Sequence, residues 1–318
     1  MLQYIRRKLL HLIPITFAVT ALSFFFVDLL PGDVADSIAG VGTDNAVVDE
    51  AAVMAIREDL GLDKPFLSRY FSWLGGIFTG DFGKSYQTGQ FVFDAIVLRL
   101  PVTLQLLIMA QCLAVLFALP AGIFAAYRSG RSTDKIITTL TFAFLAAPSF
   151  IIAIVLSFIF AVVLNWFPAT GYVPVTDDLF SNLRSFLLPA LALALIEWPI
   201  LSRALRNDLI ETLQEDFILL AKAKGLSHAY ILLRHALRPS SFSLITIVGI
   251  QLGNLISGAV IVESIFALPG IGTLLVASIH AREILMVQGV IVIMAIAYVT
   301  INLAVDILYG ALDPRIRQ

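Results

Sequence analysis

Residues 216–239 read DFILLAKAKGLSHAYILLRHALRP. The segment is basic and helix-prone, has one internal glycine, and is held between two long apolar runs. A polar segment between two membrane spans meets water and partner proteins on one side only. What docks there is therefore the functional question. Residues 217–224 are rich in Ala, Leu and Lys, which are good helix formers. Gly225 interrupts them, as a helix stop or sharp bend requires. Ser227 is placed to cap a second short helix over 229–237. Pro239 predicts a break before the chain re-enters the membrane. The expected product is two short helices at an angle below the bilayer. Phe217, Leu220, Ala221 and Leu226 should be exposed there, and exposed apolar surface rimmed by charge marks a contact site.

The rest of the chain explains why a bilayer is involved. Its 318 residues are 59% hydrophobic and 14% charged, against about 25% charged in a soluble domain. The net charge of −2 gives no case for nucleic acid. One cysteine, Cys112, excludes an intramolecular disulfide and a multi-Cys metal site. A spanning helix needs about 20 apolar residues to cover about 30 Å. Six stretches qualify: 9–30, 102–126, 136–164, 186–205, 242–262 and 286–308. Their interiors hold Pro14, Pro120, Pro148 and Pro199, which membrane helices tolerate. The first run follows Arg6-Arg7-Lys8 but has no A-x-A-like site, so it is expected to be an uncleaved anchor.

Orientation follows from the basic residues. The ends of the chain and the loops 127–135 and 203–241 carry 14 of the 21 Lys and Arg. That face is expected to be cytoplasmic, with both termini inside. The opposite face carries 11 acids between Asp28 and Asp94. Within it, 49–60 has the pattern of an amphipathic helix, with Val53, Ile56 and Leu60 on one side. Tyr70, Phe71 and Trp73 suit a headgroup zone, so a helix lying along the outer interface is expected; a surface for an external partner is the sharper alternative. The organisation expected is an anchor over 1–30, an extracytoplasmic segment over 31–100, a five-helix core over 101–310 containing the polar loop 207–240, and a tail over 311–318.

Catalytic signals fail on inspection. Gly83-Lys84-Ser85 ends like a phosphate-binding loop, but the first glycine of that motif would fall on Phe78. Asp81-Phe82-Gly83 matches a kinase triplet that has no companion motif here. His11, His228, His235 and His280 form no ligand set. No enzyme is expected, and no cofactor bound by this chain.

Glu197 stands apart, mid-span beside Trp198 and Pro199. A carboxylate at that depth costs about 2.5 kcal/mol or more, so it should face water or a partner. It either lines a solute path, pairs with Arg203 or Arg206, or is protonated. Gln251, Asn254 and Ser257 recur at spacing three on one face of the fifth span. They are further path candidates, or interhelical hydrogen-bonders. Gly249 and Gly253 fit a small-x-x-x-small packing pattern, within the subunit or across a dimer.

Several motifs in order resemble one family. AKAKGL followed by RHALRP is similar to the cytoplasmic coupling loop of ABC importer permeases. Leu220-Ala221-Lys222 stands where an E-A-A usually falls, and Gly225 matches the family's glycine; the glutamate is absent, and Arg238-Pro239 replaces an L-P pair. YIRR at 4–7, LLPGD at 29–33, LGLDKP at 60–65, GDFGKS at 80–85, VESIFALPGIG at 262–272 and DILYGALDPRIR at 306–317 resemble the dipeptide/oligopeptide branch. The resemblance implies an all-α membrane protein with six transmembrane helices and the type I ABC importer permease fold. It implies a bacterial inner-membrane subunit that forms half of a path for di- or oligopeptides. Relatives also carry nickel chelates, glutathione or sugars. The implied partners are a second homologous permease in a heterodimer, two ATPase subunits that hold ATP and Mg, and an extracytoplasmic substrate-binding protein. Ala221, Lys222, Ala223, Gly225, Leu226 and Ser227 become the candidate knob for the ATPase groove.

Overall fold

The computed structural model describes residues 14, 16–25, 54, 57–58 and 63–312. They form α1 (Thr16–Phe25), α2 (Phe66–Thr79), α3 (Val92–Tyr127), α4 (Ser132–Ala146), α5 (Ser149–Val163), α6 (Leu179–Thr212), α7 (Asp216–Ala223), α8 (His228–Phe266), α9 (Ile271–His280) and α10 (Ile284–Leu312). The described residues contain no strand beyond one isolated bridge, Lys84 with Phe91. The amphipathic helix expected over 49–60 lies mostly outside the described residues, as does half of the first apolar run.

Among the described residues, four helices are long and apolar enough to cross a membrane: α3, α6, α8 and α10. The pair α4–α5, which the sequence suggested as one span over 136–164, is long and apolar enough only when taken together, as a broken span or a re-entrant loop. The pair bends by 102°. Pro148 cannot continue the ladder of α4, and the residue before a proline is pushed out of the helical region. Ala147 is accordingly extended, at ψ 124°. The far end of α5 loosens into a π-helical stretch, Ser157–Val163.

Two compact units divide the chain. The larger holds Thr103–Leu268 and the chain from Tyr298. In it α6 packs against α4, α5 and α8. Asp178 caps α6, accepting from the N–H of Phe180 at 3.1 Å and of Ser181 at 3.2 Å. The Ser181 hydroxyl and those two amides hold its carboxyl below the usual carboxylate range. Small residues such as Ala114, Ala118 and Ala194 let helices approach closely. Their core runs without interruption through Leu201, Leu205 and Leu209 to Ile218, Ile231 and Leu244. Gly249 and Gly253 serve packing inside this unit. A Cβ on Gly249 would fall 2.2 Å from Val305, and one on Gly253 2.7 Å from Tyr298.

The smaller unit lies within Arg7–Val102 and Pro269–Ala297. Tyr70 of α2 is buried against α1, its ring edge-on to Phe17 and its hydroxyl 2.9 Å from Thr20 Oγ1. Trp73 packs near Phe24, while Phe71 is exposed. The turn around residues 84–91 is tied to the α9–α10 connection. Ser85 donates to Glu283 Oε1 at 2.7 Å, and Gln87 to the Ala281 carbonyl at 2.8 Å.

Candidate functional site

The polar elbow begins where α6 ends at Thr212. α7 buries one face, Ile218 completely and Ala221 to 6% exposure, in the same core as Leu205 and Leu209. Its other face leaves Phe217, Leu219 and Leu220 exposed, Leu220 at 57%. Ala221 was expected among the exposed residues and in the docking knob; the structure turns it inward. Period 3.6 explains this: Ile218 and Ala221, three apart, share one side. Lys222 and Ala223 at the end of α7 and Gly225, Leu226 and Ser227 on the turn that follows are exposed together.

Gly225 closes α7 at φ +76°, a left-handed conformation costly for any residue with a Cβ. Its N–H reaches the Lys222 carbonyl at 3.0 Å, and the Leu226 N–H reaches back to Ala221 at 3.3 Å. Ser227 Oγ accepts from the Tyr230 N–H at 3.3 Å and so caps α8. The second helix does not stop at Pro239 as the sequence suggested. α8 runs through it to Phe266. A π-helical stretch, Ile231–Ala236, lies just before the proline. The widened turn accommodates a residue that cannot bond to the carbonyl four positions back. Thr212 and Ser240 hydroxyls meet at 3.0 Å, joining the end of α6 to the start of α8.

Deeper in the larger unit, Glu197 is 6% exposed. Its Oε2 accepts from Gln251 Nε2 at 2.6 Å, and Gln251 Oε1 accepts from Asn254 Nδ2 at 2.9 Å. The network joins α6 to α8. Asn254 and Ser257 are exposed, while Gln251 is buried. Neither arginine considered as a partner for Glu197 takes that role. Arg206 is bound to Asp134, and the Arg203 guanidinium lies 4.7 Å over the Phe142 ring.

Two polar sites escaped the sequence reading. Asp134, near the start of α4, takes Arg206 in a two-pronged ion pair and also accepts from the Gly130 N–H at 2.8 Å. Glu263 is fully buried and accepts from Thr103 Oγ1 at 2.6 Å. An acid inside an apolar run was the available signal for Glu263, as it was for Glu197. For Asp134 there was none, because its partner lies 72 residues away.

A bundle of long apolar helices carries a polar elbow fused to its core. The family described as the binding-protein-dependent transport system inner membrane component matches residues 118–318, and its N-terminal companion matches residues 1–107. The chain belongs to that family. It is similar to a protein of Brucella abortus (strain 2308) provisionally named a peptide transport system permease, at 39% identity over 98% of both chains. It is also similar to the glutathione transport system permease protein GsiC of Escherichia coli (strain K12), at 35% identity over 100% of this chain and 99% of that one. Among solved structures, the MetNI methionine ABC transporter in one crystal form matches 69% of this chain and 96% of its own, with TM-score 0.58 and 17% identity. A second crystal form gives a TM-score of 0.55. These structures establish the fold, which is that of ABC importer permeases.

Proposed function

We propose that the chain is one of two permease subunits of a bacterial inner-membrane importer for di- or oligopeptides. An extracytoplasmic binding protein delivers the solute, and two separate ATPase subunits, carrying ATP and Mg, drive it. Both termini face the cytoplasm, as the basic residues argue. The substrate class rests on the named relatives; glutathione, itself a modified tripeptide, is the second reading because GsiC is similar along the full length.

The observation that carries the coupling role is the two-faced α7. Its inner face, Ile218 and Ala221, is continuous with the transmembrane core. Its outer face and the turn after it, Leu220, Lys222, Ala223, Gly225, Leu226 and Ser227, are exposed. A groove on an ATPase that grips the outer face moves the core with it. ATP shifts the inward–outward balance only by binding one arrangement more tightly. Glu197, Gln251, Asn254 and Ser257 are the candidates for the solute path, which Asn254 and Ser257 would reach from their exposed face; the buried Glu197–Gln251 bond also serves to join α6 to α8.

The test uses the assembled transporter. Leu220→Asp with Leu226→Asp alters exposed positions, so the subunit should still insert and fold. Co-purification of the ATPase and peptide-stimulated ATP hydrolysis should both be lost. Retention of both would overturn the coupling assignment. Ligand-induced melting shifts of the partner binding protein would decide between peptides and glutathione.

A further inference from the structure

The polar chain through α6 and α8 has a direction. Gln251 gives its Nε2 to Glu197 at 2.6 Å, so its carboxamide presents Oε1 to the other side. There it accepts from Asn254 Nδ2 at 2.9 Å. A carboxamide has its donor and its acceptor on opposite prongs. With one Nδ2 hydrogen committed inward, the other prong of Asn254, Oδ1, is left as an acceptor beside the second Nδ2 hydrogen. Asn254 is exposed, whereas Glu197 and Gln251 are buried. The network thus ends at the surface of α8 in a bare acceptor whose orientation is set two residues away. Such chains polarise one another, which strengthens the terminal acceptor.

We propose that Asn254 Oδ1 is a specificity-determining acceptor for N–H donors of the solute, above all a protonated primary amine, held in that orientation by Glu197 through Gln251. This rests on the path assignment of the cluster made above. An N–H-bearing solute gains one hydrogen bond to Oδ1 as it passes. Glu197 acts here as a positioning residue, since it reaches the solute only through Gln251 and Asn254. Ser257, three residues along the same exposed face, is close enough to report on the site.

The experiment uses the complete transporter with Cys112→Ala, which removes this chain's one cysteine, Ser257→Cys as reporter, and the same complex without Ser257→Cys as the background. Labelling rates are measured with two methanethiosulfonates, 2-aminoethyl (an N–H donor) and 2-(trimethylammonio)ethyl (a cation with no donor). Their ratio is compared among Asn254, Asn254→Leu and Glu197→Gln, so that reagent size cancels. The donor reagent should lose about two- to tenfold of its relative advantage in Asn254→Leu, the range one net hydrogen bond allows. Glu197→Gln should lose a similar share, because glutamine can offer either prong and no longer fixes Gln251. Should Glu197→Gln not assemble, the Asn254→Leu comparison stands alone, at an exposed position that does not threaten folding. If neither reagent labels Ser257→Cys, the path assignment fails and the proposal with it. If both label and the ratio is unchanged in the variants, the path assignment stands and the acceptor proposal is overturned.

Discussion

Arg206 holds Asp134 with two hydrogen bonds, Nε to Oδ1 at 2.6 Å and Nη2 to Oδ2 at 2.8 Å. The pair fastens the start of α4 to α6, less than two turns before α6 gives way to the elbow at Thr212. Paired arms and a fixed planar fork make this a geometric clamp as well as an attraction.

Loss of either partner should therefore do more than remove a charge. Asp134→Asn is expected to cost about 1.5–3 kcal/mol, the range for hydrogen bonds to charged groups. The melting temperature of the purified subunit checks it. Exchanging the two residues, Asp134→Arg with Arg206→Asp, should recover part of the loss, and a double-mutant cycle isolates the pair.

Gly225 should resist substitution for its backbone alone. A Cβ there meets open space, yet φ is +76°. Gly225→Val is expected to strain the turn by about 1–2 kcal/mol, the cost of a left-handed conformation. Peptide-driven ATP hydrolysis should fall in membranes where the subunit still accumulates, and Gly225→Asn should be milder.

Ala221 and Ala223 offer a matched contrast. Ala221 is packed inward and Ala223 is exposed. Ala221→Leu should overpack the core and lower stability by about 1–3 kcal/mol. Ala223→Leu should stay within about 0.5 kcal/mol, as exposed positions do, but weaken co-purification of the ATPase. Thermal melts and pull-downs of the same two variants read both effects.

Gly249 is predicted to fail by collision. Its Cβ would lie 2.2 Å from both Val305 methyl carbons. Gly249→Ala should lower the melting temperature, with a loss of about 1–3 kcal/mol typical of forced overpacking. Val305→Ala in the same chain should return only part of it, since the two methyl groups go but the Val305 Cβ would still lie 2.7 Å away.

Local chemistry made the elbow legible. A glycine after a run of helix formers, with a serine two residues on, specifies a stop and a restart wherever it occurs, and both appear at Gly225 and Ser227. Apolar length likewise marked the crossings, because a bilayer demands a minimum run of such residues. Pro148 and Pro239 show the limit. Both interrupt the helical ladder, yet one sits at a 102° bend and the other is absorbed by a π-helical turn. The outcome depends on what packs around each proline, which no local pattern encodes.

The sequence by itself determined that the chain is a bundle of apolar helices carrying a basic, glycine-hinged elbow, since composition and periodicity act through neighbours a few residues apart. Only the tertiary structure decided that Ala221 turns inward, that Arg206 serves Asp134 rather than Glu197, and that Glu197 speaks to the surface through Gln251. Those pairings join residues between 54 and 72 positions apart. They exist because burial forces each polar group to find a partner on whichever helix the packing brings alongside.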